Sequence, residues 1–485
     1  MARAEREDRE DAAVTPSSPA KTIWLYEKQA KIYPRSVSGR FAVLRWWMVG
    51  LTQLVFYGTP WLQWNERQAV LFDLASRRFY LGGLVLYPQD FIYLTALLLL
   101  SAYGLFLVTA VAGRVWCGYA CPQTVYTEVF MAIERGFEGD RVRRQRLDAA
   151  PWNWTKLWRK GGKHAAWIAL ALWTGFTFVG YFTPVRQLWA ESFTLSFGPW
   201  EWFWVVFYAF ATWGNAGFMR EQVCKYMCPY ARFQSAMFDH DTLLVAYDDT
   251  RGEPRGPRPR NTDPRAVGLG DCIDCTLCVQ VCPTGIDIRQ GLQMECIGCA
   301  ACADVCDGVM DKMGSPRGLV RYATQNGIAG QWSTAQMLRR VARPRVLVYS
   351  TILLAIVAAF VTSLALRLPF KVDVVRDRGA LARQVADGFV ENSYRLQIMN
   401  ATETVQRYRI GVEAASPALA GLALASADSI EVGPAESRWM PVALRLPPEA
   451  AARTGSGGAH PLAFNITAVA GGESVVEKST FVVPR

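Results

Sequence analysis

The chain is short of histidine and has no cysteine outside a motif. Three histidines, His164, His240 and His460, occur in 485 residues. No two of them share the helical spacing within an apolar run that bis-histidine haem ligation would need, which argues against a haem membrane enzyme. Acidic residues are also scarce, 42 against 52 Lys and Arg, for a net charge of +10. No cleavable signal peptide is expected ahead of the first apolar run. All twelve cysteines fall into two repeated patterns, and none is left over.

The first pattern is Cys-x-x-Cys-x-x-Cys-x-x-x-Cys, present twice: Cys272, Cys275, Cys278, Cys282 and then Cys296, Cys299, Cys302, Cys306. This is the spacing of a two-cluster bacterial ferredoxin, where three thiolates of one run and the last of the other hold each [4Fe-4S] cubane. Three thiolates at three-residue offsets wrap one face of a cluster, and the fourth must come from elsewhere. Cys272, Cys275, Cys278 and Cys306 are therefore expected at one cluster, and Cys296, Cys299, Cys302 and Cys282 at the other. Zinc is the alternative for paired Cys-x-x-Cys units.

Hydrophobic residues make up 51% of the chain, with 18 Trp and 24 Phe, more than a soluble electron carrier needs. Five stretches, 42–62, 91–112, 165–185, 202–219 and 346–366, approach the roughly 20 apolar residues of a membrane-crossing helix. The first and fourth are short and interrupted by Gln53, Gly58, Gly214 and Asn215. Lys plus Arg number 8 in 1–41, 10 in 114–163 and 16 in 219–345, against 3 in 62–90 and 1 in 185–200. Positively charged connections stay inside. The expected topology is thus a multi-pass protein of a bacterial inner membrane, with the N-terminus and clusters cytoplasmic and everything after the fifth span periplasmic. This distribution explains the net charge without nucleic-acid binding, although the Arg-rich stretch 251–265, read as a Pro/Gly linker, could suggest it in isolation.

The expected fold is a multi-domain membrane protein. A charged, disordered N-terminal segment (1–41) leads to a four-helix membrane domain (42–240), followed by a linker and two-cluster ferredoxin-like insert (241–345). A fifth span (346–366) then leads to an all-β domain (367–485). Alternating runs at 394–399, 408–412, 463–469 and 480–483 have the two-residue period of half-buried strands, and their number suits an immunoglobulin-like sandwich without a disulfide.

The second cysteine pattern is Cys117-Gly-Tyr-Ala-Cys121-Pro122 and Cys224-Lys-Tyr-Met-Cys228-Pro229. Each follows the end of an even-numbered span, an internal repeat of two helical hairpins. Proline after the second cysteine sets that cysteine as a helix N-cap, with helices expected over 123–134 and 230–238. The partial positive charge of a helix N-terminus, with Arg114 and Lys225 nearby, is expected to favour thiolate. Soft-metal or cluster ligation, dithiol chemistry and plain packing are the open roles. Among mobile metals, copper suits thiolates coupled to electron transfer.

Taken together, these motifs and the stretch Met294 to Tyr322, in which Cys306 is followed by Asp307 instead of proline, resemble the cytochrome c oxidase accessory family known as CcoG, FixG or RdxA. The resemblance implies a cupric reductase that supplies Cu(I) to maturing cbb3-type oxidase. Cys117, Cys121, Cys224 and Cys228 would be the catalytic copper-handling site, and the eight ferredoxin cysteines the electron path. Implied partners are inner-membrane lipid, an electron donor that the residues do not identify, copper chaperones or cbb3-type oxidase assembly factors, and, as an option, a second copy in a homodimer. Two other readings compete: a quinol-linked membrane ferredoxin feeding another reductase, and a non-enzymatic assembly scaffold.

Overall fold

The computed structural model describes residues 31–484 except 261, 378, 380, 381, 415, 455 and 456. Helices α1 (Arg40–Gly58), α2 (Phe91–Ala112), α3 (Val115–Tyr119), α4 (Pro122–Glu138), α5 (Arg141–Ala149), α6 (Trp154–Val179), α7 (Val185–Thr194), α8 (Pro199–Thr212) and α9 (Pro229–Met237) come first. After them come α10 (Leu277–Val281) and α11 (Ala301–Met313) in the insert, and α12 (Pro344–Ala365).

Among the described residues, two helices are long and apolar enough to cross a membrane, Pro88–Ala112 and Pro344–Ala365. They pack side by side, Tyr93 meeting Phe360 edge-on and donating to the Ser363 carbonyl at 3.1 Å. The other three apolar runs form helices that fall short of that criterion. The first half of α6 carries Lys156, Arg159, Lys160 and Lys163. α8 stops after 14 residues, and Trp213–Met219 continues as a π-helix; Gly214 and Gly217 weaken the α-helical ladder there. α6 and α8 nevertheless touch backbone to backbone, because a Cβ on Gly175 would lie 2.3 Å from the Val205 carbonyl oxygen.

The start of the chain departs from the disordered reading of 1–41. Residues 1–30 lie outside the described residues, but from Lys31 onward the segment is tied down. Tyr33 donates to Asp148 at 2.7 Å, the Ser36 amide to Asp140 at 3.0 Å and the Arg35 amide to the Gln280 carbonyl at 2.8 Å. α1 has no side-chain cap of its own. Its first amides, Phe41 and Ala42, donate at 3.2 and 2.7 Å to the carboxylate of Asp304 on α11. A carboxylate at a helix N-terminus is favourable on both hydrogen-bonding and dipole grounds, and here it joins the insert to the helical domain. A Cβ on Gly39 would sit 2.4 Å from the Asp304 carboxyl carbon, so only glycine fits.

The insert is closed at its base by an antiparallel pair, Leu244–Tyr247 with Val320–Ala323, around a core that includes Ile286, Ile288, Ala303, Met310 and Leu319. The stretch 251–265 is not a loose linker. Arg251 holds Asp271 and the Pro316 and Arg317 carbonyls, Arg258 donates to the Gly270 carbonyl at 2.6 Å, and the Gly256 amide to that of Cys272 at 3.1 Å. The donors of Arg251 and Arg258 join the start of the first cysteine loop to the turn at 316–317, which makes the stretch a strap.

The C-terminal domain is a sandwich of two antiparallel sheets. One orders 423–424, 437–446, 390–400 and 370–376, with 383–384 beside 390–400; the other orders 429–432, 406–414, 458–468 and 474–483. The period of two is plain in Gly458–Ala468, where Leu462, Phe464, Ile466 and Ala468 point inward. The sandwich does not hang free. A three-stranded sheet at 70–73, 78–81 and 84–86 buries Leu71, Tyr80 and Val85 against Met399 and Ala435, and buried Asp90 bonds Arg367 at 2.7 Å and Lys371 at 2.5 Å.

Candidate functional site

The structure arranges the eight ferredoxin cysteines around two cavities. Cys272, Cys275, Cys278 and Cys306 line one, whose other walls include Ile273, Val305 and Met310. Cys282, Cys296, Cys299 and Cys302 line the other, with Cys278 at the boundary between the two. Each set of four thus draws its last member from the opposite run.

The backbone repeats as well. The residues before and after the second cysteine of each run are left-handed: Asp274 (φ 52°) and Thr276 (φ 54°) in the first, Gly298 (φ 69°) and Ala300 (φ 55°) in the second. Three of the four are not glycine, and such strain persists only where its surroundings impose it. Successive residues of alternating handedness form amide-lined concavities of the kind that hold Fe–S sites. The thiol-only donor sets, the apolar walls and these loops fit two [4Fe-4S] clusters. Burial pushes Cys278 up to about 11 and Cys296 and Cys306 up to about 12, and coordination to a metal deprotonates a thiol outright.

The Cys-x-x-x-Cys-Pro motifs lie directly against the second cavity. Cys121 and Cys228 cap α4 and α9 in extended conformation, each followed by proline, as the motif demands. Cys117 and Cys224 pack with Ile297, Cys299 and Cys302. The turn that carries Cys117 meets the second cysteine loop backbone to backbone: a Cβ on Gly118 would lie 2.9 Å from the Gly298 carbonyl carbon and 3.0 Å from the Cys299 Cα, and one on Gly298 would lie 3.1 Å from the Arg114 carbonyl oxygen. Two glycines therefore permit this approach. Arg114, buried between the layers, donates to the carbonyls of Met294 and Ala231 and so ties both motifs to the loop. Tyr322 donates to the Gly298 carbonyl from the other side.

The motif thiols lie within electrostatic range of one another: Cys121 and Cys228 add to the rise at Cys117, and Cys117, Cys121 and Cys228 to that at Cys224. Among the described residues no three His, Cys, Asp or Glu side chains stand at single-ion spacing. The expectation of favoured thiolate fails for two of the four. Burial pushes Cys117 up to about 11 and Cys224 up to about 12. Both precede the caps instead of occupying them, and the pull of the Arg114 guanidinium is smaller than the effect of burial. Cys117 Sγ instead faces Gln234 Nε2 at 3.5 Å, a fully buried partner that sequence reasoning missed. His240 takes no part, facing Gln325.

Three family models match the chain. A 4Fe-4S dicluster domain covers 219–325, a 4Fe-4S binding domain covers 94–138, and the immunoglobulin-like fold at the C-terminus of FixG covers 360–484. The chain is 38% identical over 443 residues to the nitrogen fixation protein FixG of Rhizobium meliloti, covering 84% of each chain. It is 40% identical over 398 residues to protein RdxA of Cereibacter sphaeroides, covering 80% of this chain and 83% of that one. The chain belongs to the FixG/RdxA family. It is an iron-sulfur electron-transfer protein with redox activity. In this FixG/RdxA-family protein the two Cys-x-x-x-Cys-Pro motifs fall one in each of the two iron-sulfur matches.

Gly118→Ala tests the contact between the layers. Alanine favours a helix over glycine by about 1 kcal/mol, but its methyl would strike backbone that cannot turn aside, and overpacking costs about 1–3 kcal/mol. The clash wins. The expected result is a lower denaturation midpoint together with slower oxidation of the reduced protein by an external acceptor, at unchanged iron content.

Proposed function

We propose that this protein is a membrane-bound cupric reductase that supplies Cu(I) for assembly of cbb3-type cytochrome c oxidase. In this reading all five apolar helices cross the membrane, the cysteine insert faces the cytoplasm and the sandwich faces the periplasm. Cys272, Cys275, Cys278 and Cys306 hold one cluster, and Cys282, Cys296, Cys299 and Cys302 the other. When bound, the clusters supply one-electron transfer.

The observation that carries the reading is the backbone contact of Gly118 with Gly298 and Cys299, which brings the first Cys-x-x-x-Cys-Pro motif against the second cavity. Exposed Cys275 marks the opposite, accessible end. Cys117, Cys121, Cys224 and Cys228 bind the copper substrate. Each Cu(II) accepts one electron, ultimately from a one-electron donor of the cell, and leaves as Cu(I). Thiolate ligands favour that product because they are soft. Since Cys117 and Cys224 are protonated when metal-free, copper binding releases protons.

The quinol-linked reading is weaker. The large aromatic recess formed by Phe178, Phe182, Trp200, Trp204 and Tyr208 opens beside Asp73. It lies at the far end of α6, about 39 Å long at 1.5 Å per residue. In the deciding experiment, dithionite-reduced protein freed of excess reductant is mixed anaerobically with Cu(II). The Cu(II) EPR signal should vanish in proportion to the electrons stored, and persistence of that signal refutes the reading.

A further inference from the structure

A recess between α1, α4 and the loop after Cys282 concentrates positive charge. Arg45 of α1, Arg35 of the leading segment and Arg135 of α4 line it, with Glu128 as the single carboxylate on its walls. Arg144, also on the wall, is committed to Glu134 at 2.8 Å. Among the described residues the Arg35 and Arg135 guanidinium groups have no ion pair or hydrogen-bond acceptor.

Arg45 is the decisive group. Its residue is 6% exposed, yet its Nε has no hydrogen-bond partner, and the nearest carboxylate oxygen, on Glu128, is 3.6 Å away. A buried donor left unmade is costly, and an acceptor entering the recess would relieve it. The fork of guanidinium donors matches the oxygens of a phosphate. The enclosed space is small, about 40 Å³, so an anion would be seated by its phosphate oxygens at the mouth of the recess.

We propose that this recess binds a phosphate-bearing anion, seated by Arg35, Arg45 and Arg135. The headgroup of an anionic phospholipid is the source that the surroundings favour. Trp46 lines the recess and Trp47 beside it is 75% exposed, and tryptophans mark the headgroup level of a membrane. Basic pockets between helices on the cytoplasmic side take acidic headgroups. Pro283, next to Cys282, forms part of the wall, so a bound anion would clamp the insert to α1 and α4. The choice of lipid as source rests on the membrane topology proposed above; the phosphate site itself does not.

The test uses the full-length, cluster-loaded protein in neutral detergent, titrated separately with short-chain phosphatidylglycerol, short-chain phosphatidylcholine and inorganic phosphate. Thermal unfolding and native mass spectrometry are the readouts. Phosphatidylglycerol should raise the unfolding midpoint and remain bound at one per chain, and Arg35→Gln with Arg135→Gln should weaken it at least tenfold at unchanged iron content. Arg45→Lys, which keeps the charge and removes Nε, should weaken it too. Protection by inorganic phosphate that competes with phosphatidylglycerol and needs the same arginines also supports the site, with free anion as its occupant. Equal protection by phosphatidylcholine, or binding indifferent to all three arginines, overturns the proposal. Cu(II) reduction measured in parallel reports separately on the proposed activity.

Discussion

Cys117→Ser, Cys121→Ser, Cys224→Ser and Cys228→Ser combined will abolish Cu(II) reduction while iron and acid-labile sulfide stay at the wild-type level. Serine keeps the shape of cysteine but offers a hard oxygen that stays protonated, so it neither binds Cu(I) nor favours the reduced metal. The eight cluster thiols line two separate cavities and should be untouched. Folding should survive as well, because none of the four substituted side chains is fully buried. The measurement is the rate of Cu(I) formation, trapped by a Cu(I)-specific chelator, with total iron on the same sample. Full activity in the quadruple variant would sink the assignment of copper to these thiols. Loss of iron along with activity would instead assign them to the clusters.

How much of this was legible in the sequence follows from which interactions are local. The cluster cysteines, the prolines after Cys121 and Cys228 and the alternation of the strands act over a few residues, and the structure shows the corresponding caps and sheets. What joins the layers acts between distant residues and carried no local signal. Nothing near Gly118 or Gly298 in the sequence marks the contact between their two backbones. Nor does anything near Asp304 in the sequence mark it as the cap of α1, 262 residues away. Arg114 was noticed for its charge near Cys117, and that charge does pull the thiol down, but burial outweighs it; what the sequence hid is that its donors tie carbonyls of two distant segments together. The 251–265 strap misled in a similar way: arginine with proline and glycine looks like a solvated linker when its acceptors, carbonyls up to 66 residues away, are out of view.

Glu134→Ala will be the most destabilising single substitution on the helical side, and it will act on the second motif from the first. Glu134 is 1% exposed and accepts from Arg144 at 2.8 Å and Arg220 at 2.9 Å, with Lys163 at 3.6 Å. It sits on α4, which Cys121 starts, whereas Arg220 lies four residues before Cys224. Arg220 is also held at φ 36°, a left-handed conformation that costs a non-glycine residue about 1–3 kcal/mol unless its surroundings enforce it. Removing the carboxylate leaves buried cations unpaired, and breaking a buried pair in this way costs about 3–5 kcal/mol. By contrast, the exposed Arg317–Asp311 pair is of the kind that contributes little. Burial alone would push the Glu134 carboxyl up, but Arg220, Arg144 and Lys163 outweigh it and hold it below the usual carboxylate range. A depressed carboxyl stabilises the fold above the unfolded-state value of about 4.3 and loses that contribution as pH falls through the folded-state value. Wild-type protein should therefore lose stability steeply below about pH 4, and Glu134→Ala should start lower and fall less. Chemical denaturation at pH 7 and at about pH 3, below the unfolded-state carboxyl value, measures both. Cu(II) reduction should fall with Arg220 released, even where the cluster absorbance persists. An unchanged denaturation midpoint at pH 7 would show that the buried charge network is not what holds the two motifs together.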